Sequence, residues 1–252
     1  MSKAITFAES SIEAKQEIAL QIIEYFGPKE ETLRIGITGA PGVGKSTFIE
    51  SVGVSLLKDP TKKVAVLSID PSSEISQGSI LGDKTRMNKL SSMSAAYIRP
   101  SSSGNNLGGV SKNTRLAVLL CEAAGYNTIL IESVGVGQNE TEIAKLSDLF
   151  VLLISPGGGD ELQGIKRGIM EVADIVVVNK ADGNNTNQAT ITATEYSMAL
   201  HLKPKNENNW VPKVIVASAQ EKQGIQLFIE KCTDFNNHIK NRWKLKHRKQ
   251  QM

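Results

Sequence analysis

Residues 39–46 read Gly-Ala-Pro-Gly-Val-Gly-Lys-Ser, a complete GxxxxGKS phosphate-binding loop, set between the apolar run Leu33–Thr38 and a helix-like run, Thr47–Leu57. Such a loop works only where a strand delivers it and a helix leaves it. The backbone then curls round phosphate oxygens with successive N–H groups pointing inward at a helix N-terminus. Gly39, Gly42 and Gly44 are expected to permit that close approach, with Val43 between the last two as part of the loop. Lys45 supplies a mobile positive charge for the β- and γ-phosphates, and Ser46 the hydroxyl that such loops place on Mg²⁺.

The base is read further along. Asp174-Ile-Val-Val-Val-Asn179-Lys180-Ala-Asp182 ends a buried-strand pattern with NKAD. A carboxylate at Asp182 accepts from the N1–H and 2-amino group of guanine, whereas adenine offers neither donor and would leave it unpaired. A desolvated charge without a partner costs roughly 1–3 kcal/mol or more, which selects GTP over ATP. Lys180 can lay its alkyl stem on the purine face, and Asn179 can tie this loop to the phosphate loop. A third run, Val214–Ala217, ends in Ser218-Ala219, where the Ala219 N–H can donate to guanine O6.

With 252 residues and 40% hydrophobic content the chain can bury one substantial core, so residues 1–252 are read as a single GTPase domain. A short N-terminal helix (about 10–27) and a basic C-terminal helix and tail (about 224–252) flank it. No apolar run is long enough to span a bilayer and no signal-peptide pattern opens the chain, so a cytoplasmic protein without membrane contact is expected. Cys121 and Cys232 sit in helix-like apolar surroundings and read as buried thiols. Lys240, Arg242, Lys244, Lys246, Arg248 and Lys249 form a tail without acids, and setting those six aside turns the net charge from +3 to −3. The body is therefore not basic, no nucleic-acid partner is expected, and the tail reads as a solvated helix end.

Strand-like runs alternate with helix-like segments, the pattern of an α/β fold with a mostly parallel sheet covered by helices on both faces. Strands are expected at Leu33–Thr38, Lys63–Ile69, Thr128–Glu132, Leu149–Ile154, Ile175–Asn179 and Lys213–Ala217. Helices are expected at Ser11–Phe26, Lys45–Leu57, Val110–Ala124, Glu140–Leu146, Leu162–Val172, Asn187–His201 and Ile225–Lys240. The Ser- and Gly-rich stretch from Pro71 to Gly109 reads as one long irregular, switch-like segment.

Ligands of open parallel sheets bind beyond the carboxyl ends of the strands, and three acids are expected there. Asp70 closes the second strand and can hold Mg²⁺ through water. Asp83 lies in the long segment and can orient water or metal. Glu132 opens Glu-Ser-Val-Gly135, where many GTPases carry DxxG, so Gly135 can donate to the γ-phosphate while Glu132 reaches Mg²⁺ waters or polarises the attacking water. Gln138, nearby, can also orient water.

The runs GITGAPGVGKSTFIE, IDPSSEISQGSILGDKTRM, IRPSSSGNNLGGV, LLCEAAGYNTILIESVGVGQNETEI and LISPGGGDELQGIKRGIMEVADIVVVNKADG, with the ITFAES opening, cover most of residues 5–220. Together they resemble the MeaB/ArgK family of GTPases. The resemblance implies a P-loop NTPase fold of the signal-recognition-particle, nitrogenase-iron-protein and metal-chaperone class. It implies a GTPase that serves as a chaperone of a cobalamin-dependent acyl-CoA mutase of the methylmalonyl-CoA mutase type, gating and protecting adenosylcobalamin loading. It places Gly42, Gly44, Lys45, Ser46, Thr47, Asn179, Lys180, Asp182, Ser218 and Ala219 on GTP or GDP, and Asp70, Asp83 and Glu132 in the Mg²⁺ and hydrolysis region. Gly157–Arg167, with Asp160, Glu161 and Lys166, resembles the extra switch loop by which this family signals to the mutase. A homodimer is also implied, although the chain lacks the long C-terminal arm that the family generally uses for it.

Two other functions share parts of this pattern. A metal-delivery GTPase usually adds a Cys/His cluster, where this chain has only Cys121, Cys232, His201, His238 and His247 in isolation. A transport-linked kinase would need ATP, against which NKAD argues.

Overall fold

A computed structural model describes residues 1–27, 29, 31–70, 87–102, 112–133, 140–157, 167–201, 208–239, 244 and 248. In chain order the elements are α1 (Ser2–Ala8), α2 (Glu13–Phe26), β1 (Leu33–Gly39), α3 (Lys45–Leu56), β2 (Val64–Asp70), α4 (Asn88–Ser91) and β3 (Ala96–Ser102). They continue with α5 (Lys112–Ala123), β4 (Thr128–Ser133), α6 (Glu140–Leu146), β5 (Leu149–Ile154), α7 (Arg167–Val172) and β6 (Ile175–Val178). A 3₁₀ turn at Gly183–Asn185 leads into α8 (Thr186–His201), β7 (Lys213–Val216) and α9 (Ile225–His238).

The seven strands form one sheet in the order β3-β2-β4-β1-β5-β6-β7, and every pairing is parallel. Alternation along the strands assigns side chains to two faces. Ile35, Ile37, Val66, Leu130, Val151 and Val177 point to the face covered by α3 and α9, where Phe48 and Phe228 meet edge to face at 5.0 Å. Leu67, Ile129, Ile131, Leu152, Val176 and Val178 point to the other face, under α1, α2, α5, α6 and α8. Burial on both faces explains why these strands read as continuous apolar runs.

Two expectations are corrected here. The stretch from Pro71 to Gly109 is not irregular throughout, because α4 and the whole of β3 lie within it. Pro100 and the serines beside it hide the strand from a propensity reading. They are accommodated because β3 is an edge strand, paired among the described residues with β2 alone, the setting in which a sheet tolerates proline. Residues 71–86 and 103–109 of that stretch lie outside the described residues.

The second correction concerns the basic tail. Lys244 and Arg248 are buried, at 1% and 6% exposure, and not solvated. Arg248 donates to both oxygens of Asp148, Nε to Oδ1 at 3.0 Å and Nη2 to Oδ2 at 2.6 Å. Its Nη1 lies 3.1 Å from Glu122 Oε1, and further bonds reach the carbonyls of Lys29 and Thr32. Arg34 pairs with Glu122 in a fork at 2.8 and 2.9 Å, and its backbone N–H donates to Asp148 Oδ2. Lys244 donates to the Thr32 carbonyl and to Asn236 Oδ1. Burial pushes its ammonium pKa down, as expected when a cation is taken out of water. The cluster sits at the amino-terminal ends of β1 and β5, the end of the sheet opposite the phosphate loop.

Candidate functional site

At the carboxyl ends of the strands, β1 feeds a loop whose glycines serve three different needs. Gly42 (φ 80°) and Gly44 (φ 93°) occupy the left-handed region, where a side chain is strained. A Cβ on Gly44 would also stand 2.8 Å from Asn179 Nδ2. Gly39, at φ 152°, meets a packing limit as well. A Cβ there would meet the Leu153 carbonyl of β5 at 2.4 Å.

Lys45 begins α3 and is 8% exposed. Its Nζ donates to the carbonyls of Gly39 at 2.7 Å and Ala40 at 3.2 Å, so the ammonium is held back across its own loop. Ser46 Oγ donates to Glu132 Oε1 at 3.0 Å. Ser68 Oγ, in the middle of β2, donates to Glu132 Oε2 at 3.3 Å. The carboxylate, carried by β4, is thus approached from β2 and from α3, at 2% exposure. Because the single proton of Ser46 is directed at Glu132, the lone pairs of that hydroxyl remain for a cation. Below the loop, Ser133 Oγ donates to Thr38 Oγ1 at 2.9 Å, linking β4 to β1.

The second half of the site rests on Asn179, 1% exposed at the end of β6. Its Nδ2 donates to the Val43 carbonyl at 2.9 Å, and its Oδ1 accepts from the Ala219 N–H at 3.1 Å. One amide therefore joins the phosphate loop to the loop after β7. The expected link from Asn179 to the phosphate loop is present. The Ala219 N–H, expected to face guanine O6, is engaged by Asn179. Lys180 follows with φ 61° and an exposed side chain. Asp182 Oδ2 accepts from Ser218 Oγ at 2.5 Å, and that same hydroxyl oxygen accepts from the Glu221 N–H at 3.1 Å. The hydroxyl proton is thereby committed to Asp182, which fixes the direction of the carboxylate.

The structure brings Lys45, Ser46, Glu132, Asn179, Asp182, Ser218 and Ala219 to one end of the sheet. Thr47 is on the exposed face of α3, and Asp70 ends β2 beside them, with its side chain outside the described set. Asp83, Gly135, Gln138, Asp160, Glu161 and Lys166 also lie outside the described residues, as does the side chain of Arg167. Gly157 opens the expected switch loop with φ 79° and donates its N–H to Thr192 Oγ1 of α8 at 3.1 Å. Sequence reasoning passed over Ser68 and Ser51. Ser68 had a signal, a lone hydroxyl inside the apolar run Val64–Ile69, while Ser51 had none.

Among the described residues no group of three or more His, Cys, Asp or Glu comes together to hold a metal, and no helix is long and apolar enough to cross a membrane. Both cysteines are buried and unpaired. Burial pushes the Cys121 thiol up to about 12 and raises Cys232 as well, so both are poor nucleophiles.

The family model described as methylmalonyl-CoA mutase-associated GTPase MeaB matches residues 1–252. GTPase ArgK of Escherichia coli is 46% identical over 252 residues, which make up 100% of this chain and 76% of that protein. The mitochondrial methylmalonic aciduria type A homolog of Mus musculus is 46% identical over 250 residues, covering 95% of this chain and 60% of that protein. Among solved structures, an LAO/AO transport system kinase superposes with a TM-score of 0.80 at 38% identity, over 99% of this chain and 74% of that one. HypB of Helicobacter pylori, solved with nickel, shares the fold alone, with a TM-score of 0.60 at 16% identity over 88% of this chain and 95% of that one. Matched by that family along its whole length, with its sheet and phosphate loop arranged as a P-loop GTPase requires, the chain belongs to the MeaB family of GTPases.

Proposed function

We propose that the chain is a GTP-driven chaperone of a cobalamin-dependent acyl-CoA mutase of the methylmalonyl-CoA mutase type, gating and protecting the loading of adenosylcobalamin. The observation that carries the nucleotide half of this reading is the Asn179 bridge, which holds a phosphate cradle and a carboxylate-bearing base loop in one rigid relation. The mutase half rests on the family and on the relatives' names.

In this reading the N–H groups of Gly42, Val43, Gly44, Lys45, Ser46 and Thr47 surround the phosphates, and Lys45 leaves its loop carbonyls for the β- and γ-phosphate oxygens. The residues present fit a magnesium ion: Ser46 offers its lone pairs, Glu132 stands behind for metal-bound waters, and Asp70, at the end of β2, is assigned to the same waters. Bound there, Mg²⁺ would offset the charge that develops on the phosphates. Glu132 acts on that side by holding the Ser46 proton. Asp83 and Gly135 are assigned to the water and the γ-phosphate. Asp182, aimed by Ser218, reads the N1–H and 2-amino group of guanine, with Lys180 over the ring.

Asp182→Asn should shrink the preference for GTP over ATP roughly tenfold to a hundredfold, the worth of a charge-assisted hydrogen-bond pair. Competition binding reads this ratio directly, and an unchanged ratio defeats the assignment of the base reader. For the whole function, GTP turnover by the purified protein is compared with and without a cobalamin-dependent acyl-CoA mutase. Turnover should be slow alone and rise with the mutase, because switching GTPases commonly need a partner surface to complete the charge around the γ-phosphate. Turnover indifferent to such mutases overturns the chaperone reading. Light scattering on the same samples tests the implied homodimer.

A further inference from the structure

Ser51 lies on α3, five residues beyond Ser46, and faces the loop after β7. Its Oγ donates to the Ala219 carbonyl at 2.7 Å, across 168 residues of sequence. The Ala219 N–H is meanwhile held by Asn179 Oδ1 at 3.1 Å. The two peptide units flanking the Ala219 Cα are therefore each fixed, one by the strand that carries NKAD and one by the helix that carries the phosphate lysine. Ala219 itself is 4% exposed and packs into the core between α3 and α9, so the loop has little freedom left once both bonds are made. Ser218, the preceding residue, aims Asp182, and its N–H donates to the Gln223 carbonyl at 3.0 Å.

We infer that Ser51 is a positioning residue for guanine recognition: by fixing the Ala219 carbonyl to the phosphate helix it sets the edge of the base site nearest O6 and slows release of the nucleotide. The inference rests on the guanine reading of Asp182 above and takes the Ala219 loop, whose N–H Asn179 holds, as the wall of the same base site on the O6 side. A helix that moves with the phosphates then carries the base loop along, so the two ends of the nucleotide are gripped together. Asp182 reads the other edge of the base through a different contact, and Ser51 leaves that contact alone.

The test compares wild type with Ser51→Ala and Ser51→Thr, the second keeping a hydroxyl at the same carbon. Three probes are used: GDP, inosine diphosphate, which lacks only the 2-amino group, and 6-thio-GDP, in which sulfur replaces O6. Ser51→Ala should release GDP about fivefold faster, the worth of one neutral hydrogen bond. It should narrow the preference for GDP over 6-thio-GDP while leaving the preference for GDP over inosine diphosphate as in wild type. Ser51→Thr should restore both. Wild-type release and preferences in Ser51→Ala overturn the inference. A loss in Ser51→Ala that is equal for all three probes and is not rescued by threonine also overturns it, since a loosened helix would act that way. If wild type and Asp182→Asn show the same preference for GDP over inosine diphosphate, the guanine reading fails instead, a result separable from either outcome at Ser51.

Discussion

Lys45→Ala should lose GTP affinity by about a thousandfold while remaining folded. Its ammonium is the cation of the phosphate loop in the structure, 8% exposed and already drawn across the loop by the carbonyls of Gly39 and Ala40. A unit charge about 4 Å from a phosphate oxygen contributes on the order of 4 kcal/mol at the dielectric typical of such sites, which corresponds to roughly three decades in Kd. Arginine at this position should not rescue binding, because its planar fork cannot occupy the space that a flexible ammonium fills. Titration calorimetry with GTP checks the loss, and thermal melting checks that the apo protein still folds. Micromolar affinity retained in Lys45→Ala would sink the assignment of the phosphate site.

The second large effect is expected at the opposite end of the sheet. Arg248→Met should lower the melting temperature by about 10 °C. Glu122 and Asp148 are 0% and 4% exposed, and Arg248 bonds to both. Without it, two buried carboxylates face Arg34 and a Lys244 whose charged form burial already disfavours. Breaking a buried ion pair by removing one partner costs about 3–5 kcal/mol, and a chain of this length loses roughly 2–4 °C per kcal/mol. Arg248→Lys should recover only part of the loss, because one ammonium cannot make the paired bonds to Asp148. Below its melting temperature the variant should bind GTP as wild type does, since the cluster lies at the far end of the strands. An unchanged melting temperature would show that Arg248 is not seated as described.

The architecture was legible because both sheet faces are buried: β5 and β6 are unbroken apolar runs, and the GxxxxGKS and NKAD loops mark the ends of β1 and β6. What escaped was decided by distant residues. Nothing local to Pro100 says that its strand is an edge. Nothing within the tail says that Arg248 will meet Asp148, 100 residues earlier. Helix α1 opens with Met1 as N-cap and no side-chain capping bond, so its start carries no signal and only the packing of Ile5 and Ala8 explains it. At the site, glycine positions were readable, but the packing limit at Gly39 was not, because it depends on the Leu153 carbonyl. Asn179 was expected to tie two loops, and it ties a third loop as well, the one bearing Ala219. Ser51 needed three dimensions to be seen at all.

That three-way tie has a consequence for how the molecule comes into being. The atoms that Asn179 joins are 136 residues upstream and 40 residues downstream of it, and β1 waits for β4 and β5 before either of its sides is covered. A ribosome completes the phosphate motif early, yet the cradle has its fastening only after Ala219 emerges. Nascent chains of intermediate length therefore carry a recognisable motif that grips nothing, with bare strand edges exposed. Nucleotide becomes a folding ligand only once Ala219 has joined the sheet, when it can favour the completed topology of this region over the partial ones.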